Sequence, residues 1–281
     1  VTELLLVALK VSVAILILAI GLGSTFADLL YVWRRPALLL RSLLAMYVLV
    51  PLAAVVLVSL LPLGTAIKAA LLVLAVSAGA PLLPRKLGAF GSEAYVFSLV
   101  VLSSLLAIVL VPAWLALAGR YFDVAAALDP RVVATIIAKS FLVPLLVGLV
   151  LRRLFPAIGE AVADRLMAIA GLALAGSALV LLATHWQLFL AFEGIGMLSL
   201  VLLLLAALVF GHAMGGPGAD DRTALAIACA TRHVGLAVLV ASSFPGPKTT
   251  VLIAAYIVAS AAVSLPYLKW RRAVSARAAS P

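Results

Sequence analysis

Arg232 and His233 stand side by side, with Thr231 before them, near the middle of the otherwise uncharged, apolar stretch 223–243. A charged side chain at the centre of a membrane helix costs about 2.5–3.5 kcal/mol on insertion scales, so an arginine there is a functional-site hypothesis by default. Its guanidinium is suited to an oxyanion, and the imidazole beside it changes charge near neutral pH, which suits proton coupling. A second unusual cluster lies in AVSAGAPLLPRK, residues 75–86, where Ser77, Gly79 and Pro81 precede Pro84. The two prolines remove backbone donors, and Pro81 is expected to break its helix before the bilayer is crossed. Gly235 gives the 223–243 stretch the same interrupted character. Arg232, His233, Thr231, Ser77, Gly79, Pro81 and Gly235 are therefore the candidate substrate-binding or coupling residues.

Each has a plainer alternative. Arg232 lies about 14 Å beyond Thr223 at the helical rise, too deep to snorkel, which leaves a ligand or coupling role against a structural ion pair or carbonyl cap. His233 reads equally as a neutral side chain hydrogen-bonded to a neighbouring helix. Gly79, Pro81 and Gly235 have packing roles as their alternative. Cys229, the single cysteine, reads as a small hydrophobe. Asp28 is expected to partner Arg34 or Arg35, and Glu193 either faces an outer cavity or snorkels. Ser98, Ser103 and Ser104 can satisfy their hydroxyls on preceding carbonyls. HExxH, GxSxG and catalytic carboxylate pairs are missing from the sequence, which argues against an enzyme.

The elements that carry these residues are membrane helices. The chain has 281 residues, 67% of them hydrophobic and 11% charged, far from the roughly 45–50% apolar content of soluble domains. Apolar runs of about 20 residues recur along its length, as a hydrocarbon core of about 30 Å demands. The fold class is all-α and polytopic, in a single membrane domain whose natural partner is the lipid bilayer. The net charge of +10 reports loop charges that set topology rather than a nucleic-acid surface. The first apolar run, 4–30, carries Lys10 and leads into Arg34 and Arg35; it exceeds a signal core of about 7–15 residues and reads as a span.

Breaks at charged, Pro and Gly clusters give about nine spans, at 4–30, 37–62, 65–84, 94–118, 132–151, 165–183, 187–212, 223–243 and 249–268. Most loop Lys and Arg, including Arg34, Arg35, Arg152, Arg153, Arg222, Lys269, Arg271 and Arg272, then fall on one side. The positive-inside rule makes that side cytoplasmic, with the N-terminus outside, the C-terminus inside and the chain in the inner (plasma) membrane. The interrupted spans are the third and the eighth. An offset of five means that they run in opposite directions, the arithmetic of an inverted repeat with four spans in residues 1–119 and five in 120–281. A broken helix at mid-membrane must line a cavity or meet a ligand, and free half-helix N-termini would favour an anion there.

With these residues in place the chain resembles the bile acid:sodium symporter family. ILAIGLGSTFADLLYVWRRP, residues 17–36, is similar to that family's MGLxLTxxDFxxVxxxP signature. Pro51, SSLLAIVLVP at 103–112 and HVGLAV at 233–238 follow in the family's order, and the likeness extends over essentially the whole chain. The resemblance implies a panel domain, a core domain and two broken helices that cross near the midplane, as in sodium/proton antiporter-like folds, here without the extra first helix of ten-span members.

Departures from the family pattern fall on the ion sites. Where the family has PGGTASN this chain has SAGAPLL, which puts Leu82 and Leu83 at two sodium-ligand positions. Where it has ExGxQN this chain has ACATRH, which puts Ala228 in place of the acid, Arg232 in place of Gln and His233 in place of Asn. Further ligand positions read Met46, Val96 and Val100. Sodium needs oxygen donors, so these side chains do not rebuild the site. The resemblance implies an alternating-access carrier for a small organic anion and would by itself supply a sodium ion, whereas the substituted ligand positions point to no cofactor, with Arg232 standing in for the sodium charge. The alternative is a transport-inactive sensor or scaffold that retains the fold.

Overall fold

The computed structural model describes residues 2–25, 27–77, 93–122, 131, 135, 138–184, 186–187, 194–233, 237 and 248–279. Among them every regular element is helical. In chain order these are α1 (Thr2–Gly23), α2 (Pro36–Leu60), α3 (Thr65–Val76), α4 (Glu93–Phe122), α5 (π turn Ala138–Leu142, then Val143–Leu154), α6 (Pro156–Thr184), α7 (Gly194–Met214), α8 (Ala219–Ala230) and α9 (Lys248–Ala279). Five stretches, Pro36–Leu60, Ala94–Trp114, Ala161–Thr184, Gly194–Met214 and Val251–Arg277, are long and apolar enough to cross a membrane. Val11–Gly23 and Thr65–Val76 are shorter apolar helices. The chain is a multi-pass membrane protein.

The helices pack in two groups. One is α1 with α5 and α6; the other is α2, α3, α4, α7, α8 and α9, and the groups meet where α6 lies along α9. In the first group two glycines let backbones touch. A Cβ on Gly21 would sit 2.5 Å from the Leu145 carbonyl oxygen and 3.0 Å from the Gly148 Cα, while one on Gly148 would run into the Leu18 carbonyl. Small residues are the usual means of such approach between membrane helices, where lipid removes the hydrophobic drive. Gly211 does the same in the second group, seating α7 directly on Ala226 of α8.

One end of the assembly gathers basic side chains. Arg35 pairs with Asp221 at 3.9 Å and lies over the Tyr31 ring. Arg271, buried near the end of α9, donates to the Thr223 hydroxyl at 2.9 Å and the Ala219 carbonyl at 3.0 Å, which fixes the start of α8. Trp33 and Trp270 are exposed beside these arginines, as aromatic belts are at a membrane interface. The Asp28 expectation is corrected. Its carboxylate accepts from the Thr25 N–H and hydroxyl, both at 2.8 Å, closing a local turn, and Arg35 reaches Asp221 instead.

Helix α2 contains the turn that matters most for the site. Pro51 has no N–H to give the Tyr47 carbonyl, and residues Ala45–Leu49 widen into a π turn in which the Val50 N–H bonds the Ala45 carbonyl. Pro51 is thus the physical cause of the local irregularity. Two carbonyls lose their α-helical donors. The Trp114 indole N–H takes up that of Tyr47 at 3.1 Å, and that of Met46 is left facing the protein interior.

Candidate functional site

Helices α3 and α8 both stop inside the protein. α3 ends at Val76, with Ser77 off the helix at φ −78°, ψ 60°, and α8 ends at Ala230, with Thr231 extended at φ −111°, ψ 118°. The two ends are joined, since the His233 N–H donates to the Ser77 carbonyl at 2.9 Å. Beyond the end of α8 the Ala237 N–H bonds the His233 carbonyl at 2.9 Å. α2 begins beside the start of α8 through the Arg35–Asp221 pair, and its 25 residues cover about 37 Å at the helical rise. α3 therefore starts from the opposite face, and the two helices approach each other head-on.

Both ends that meet are C-terminal. Each carries about half a negative charge from its unpaired carbonyls, and a cation placed there is stabilised. Arg232 supplies that cation. It is 3% exposed, and its Nη1 lies 3.5 Å from the Met46 carbonyl that the π turn released, at the long limit of a hydrogen bond. Nη2 is buried without a hydrogen-bond partner among the described residues. The expected half-helix N-termini fall outside the described residues; the positive charge found here comes from a side chain.

The break is held from α9. The Tyr256 hydroxyl accepts from the Arg232 backbone N–H at 2.5 Å and donates to the Ala230 carbonyl at 2.8 Å, bridging extended Thr231. Ser260, one turn on, donates to the same Ala230 carbonyl at 3.0 Å. Ser77 is satisfied locally, its hydroxyl on the Val73 carbonyl at 2.7 Å. His233 is buried, with the Phe141 ring edge-on at 6.1 Å from the π turn that opens α5. Cys229 is fully buried in the apolar core, as a small hydrophobe would be.

A cavity of about 450 Å³ lies on the seam between α6 and α9. Thr231 and Arg232 reach it from the break, Gly171, Leu172, Leu174 and Ala175 from α6, and Tyr256, Ser260, Ser264, Leu268, Lys269 and Arg272 from α9. Of the sequence candidates, Ser77, Thr231, Arg232 and His233 converge at the break, while Gly79, Pro81 and Gly235 lie outside the described residues. Sequence reasoning passed over Tyr256, Ser260, Ser264 and the Met46 carbonyl. The signal was present: Tyr256, Ser260, Ser264, Leu268 and Arg272 repeat every fourth residue, a stripe polar at every position but Leu268 on one face of an apolar span.

Of the positions that the family resemblance sets at sodium ligands, Leu82 and Leu83 lie outside the described residues. Met46, Val96, Val100 and Ala228 are buried, their side chains carry no oxygen, and the Met46 carbonyl faces Arg232. Those four side chains offer a hard cation no oxygen. Among the described residues no group of three His, Cys, Asp or Glu comes together either.

Apolar helices with an open cavity between them that reaches a buried cation have the form of an integral membrane transport protein. The chain belongs to the Sodium Bile acid symporter family, whose family model matches residues 10–192. The matched segment runs from α1 through α6 and includes Ser77; Thr231, Arg232 and His233 lie beyond it. Among curated proteins none matches the chain.

Proposed function

We propose that this protein is a secondary carrier that moves a small organic anion by alternating access, with Arg232 serving as a fixed cation in place of a mobile sodium ion. The observation that carries the reading is the junction of two opposed helix ends around a buried guanidinium that opens on the α6–α9 cavity. A helix end at mid-membrane is tolerated only where it lines a cavity or meets a ligand, and paired interruptions in two halves of a chain mark a transporter's binding site. The head-on approach of α3 and α8 supports the inverted repeat, with residues 1–119 and 120–281 as its halves and about nine spans in all. The two packing groups correspond to a panel and a core, and sliding of α6 against α9 would expose the cavity to one side and then the other. The basic end, with its exposed tryptophans, is the cytoplasmic face of the inner membrane by the positive-inside rule.

The test is uptake of an organic-anion panel into proteoliposomes under an imposed sodium gradient, a proton gradient or neither. Saturable flux that persists without sodium is expected. Flux that collapses on sodium removal would sink the fixed-cation reading, and anion-dependent protection with no flux under any gradient would make the protein a sensor.

A further inference from the structure

The α6–α9 cavity differs at its two ends. At the inner end Arg232 Nη2 and Ser264 Oγ are both buried, both residues line the cavity, and neither atom has a hydrogen-bond partner among the described residues. A guanidinium N–H and a hydroxyl can both donate, whereas the neighbouring Tyr256 and Ser260 hydroxyls already donate to the Ala230 carbonyl. The inner end thus presents idle donors and a charge whose contact with the Met46 carbonyl is long. Leu265 and Leu268, which lie between Ser264 and Lys269 along α9, form an apolar middle, and Leu172, Leu174, Ile257 and Ala261 add to the apolar lining. The outer end carries a second pair of cations, Lys269 and Arg272, and no carboxylate is among the described residues that line the cavity.

Resting on the carrier reading, we infer that the substrate is a two-headed anion: an apolar spacer with a carboxylate at each end, one held by Arg232 and Ser264, the other by Lys269 and Arg272. A single carboxylate would engage one cationic end of the cavity and not the other. The separation follows from α9 itself. Ser264 to Arg272 spans about 12 Å and Ser260 to Arg272 about 18 Å at the helical rise. A short, polar diacid cannot reach both ends, and its hydrated middle is mismatched to the leucine-lined section.

The experiment compares the α,ω-dicarboxylates from butanedioate to tetradecanedioate with the straight-chain monocarboxylates of equal length. Binding is read by thermal shift and competition on the purified full chain, and flux in proteoliposomes. Affinity is expected to peak between decanedioate and tetradecanedioate, at least tenfold above both butanedioate and the matching monocarboxylate. The double variant K269Q/R272Q is expected to reduce the best dicarboxylate to the affinity of its monocarboxylate. If monocarboxylates bind as tightly as dicarboxylates, or if butanedioate binds best, the two-headed substrate is wrong while the carrier stands. Transport of other organic anions with no dicarboxylate binding would overturn the two-headed substrate in the same way and leave the carrier intact. If no anion in either series binds and no organic anion moves, both readings fail together.

Discussion

The backbone N–H of His233 donates to the carbonyl of Ser77 at 2.9 Å, so a single main-chain hydrogen bond ties the end of α8 to the end of α3. Each residue lies just past the last turn of its helix, and their side chains contribute nothing to the bond. It brings two helix C-termini together beside Arg232, whose guanidinium reaches the Met46 carbonyl. The cluster is therefore sensitive to whatever holds these ends in place, and to the charge between them.

Arg232→Gln keeps hydrogen-bonding capacity but removes the charge that answers the two helix ends. A cation at a partly buried helix C-terminus is worth up to about 2 kcal/mol, so the thermal midpoint of the purified protein is expected to fall by several degrees and anion uptake by more than tenfold. Arg232→Lys restores charge without the planar fork and is expected to recover stability better than uptake. Uptake equal to the parent in both variants would end the fixed-cation idea.

Tyr256→Phe removes the hydroxyl that bridges Thr231 while leaving the cavity's size nearly unchanged. Two hydrogen bonds are lost, at about 0.5–1.5 kcal/mol each, although Ser260 still reaches the Ala230 carbonyl. A lower unfolding midpoint and faster amide exchange at Arg232 are expected. An unaltered exchange rate there would show that the bridge does not hold the break.

Pro51→Ala gives residue 51 an N–H and lets the π turn relax into α-helix. The Met46 carbonyl would then be taken by Val50 and withdrawn from Arg232, so stability is expected to hold or rise while uptake falls at least fivefold. Measured together, these opposite movements separate a functional turn from a merely tolerated one. Parallel losses in both would count against it.

Gly148→Val tests the backbone contact between α1 and α5. The added side chain has no room beside the Leu18 carbonyl and Gly21, and overpacking typically costs about 1–3 kcal/mol. Reduced yield of folded protein by size-exclusion chromatography is the expected result, and Gly176→Val on α6, where nothing lies within 4 Å of the added Cβ, is the control.

Burial raises the Asp221 carboxyl above its ordinary 3.8, with Arg35 pulling against the rise and Asp220 adding to it. A carboxyl with a raised folded value holds its proton more tightly folded than unfolded, so stability falls as pH climbs from 3.8 through that raised value. Asp221→Asn is expected to flatten the thermal midpoint across that window. Its effect at neutral pH should be small, because the Arg35 partner is half exposed.

The sequence made the break after α8 legible because an arginine in an apolar run has few explanations, and Ser77 because small and kinking residues cluster behind it. It tied the break of α3 to Pro81, which has no N–H for the Ser77 carbonyl four residues earlier; the helix ends at Val76, and that carbonyl accepts from the His233 N–H. Tyr256 and Ser260 were invisible as site residues because a tyrosine and a serine in a membrane helix are ordinary until a neighbouring helix end is known to lie against them. The Met46 carbonyl was harder still. Pro51 was seen as a family landmark, but which carbonyl it frees, and toward what, depends on how α2 packs against α8.

A guanidinium is part of the chain and cannot leave with the cargo. Every conformational step that shifts the end of α8 along the bilayer normal therefore does electrical work, about 2.3 kcal/mol per 100 mV for a unit charge crossing the full membrane and a fraction of that for a partial displacement. Carriers charged only by a dissociable ion feel voltage differently in their loaded and empty strokes. In the carrier proposed above, Arg232 makes the empty protein itself the charged species, and membrane voltage acts on its return.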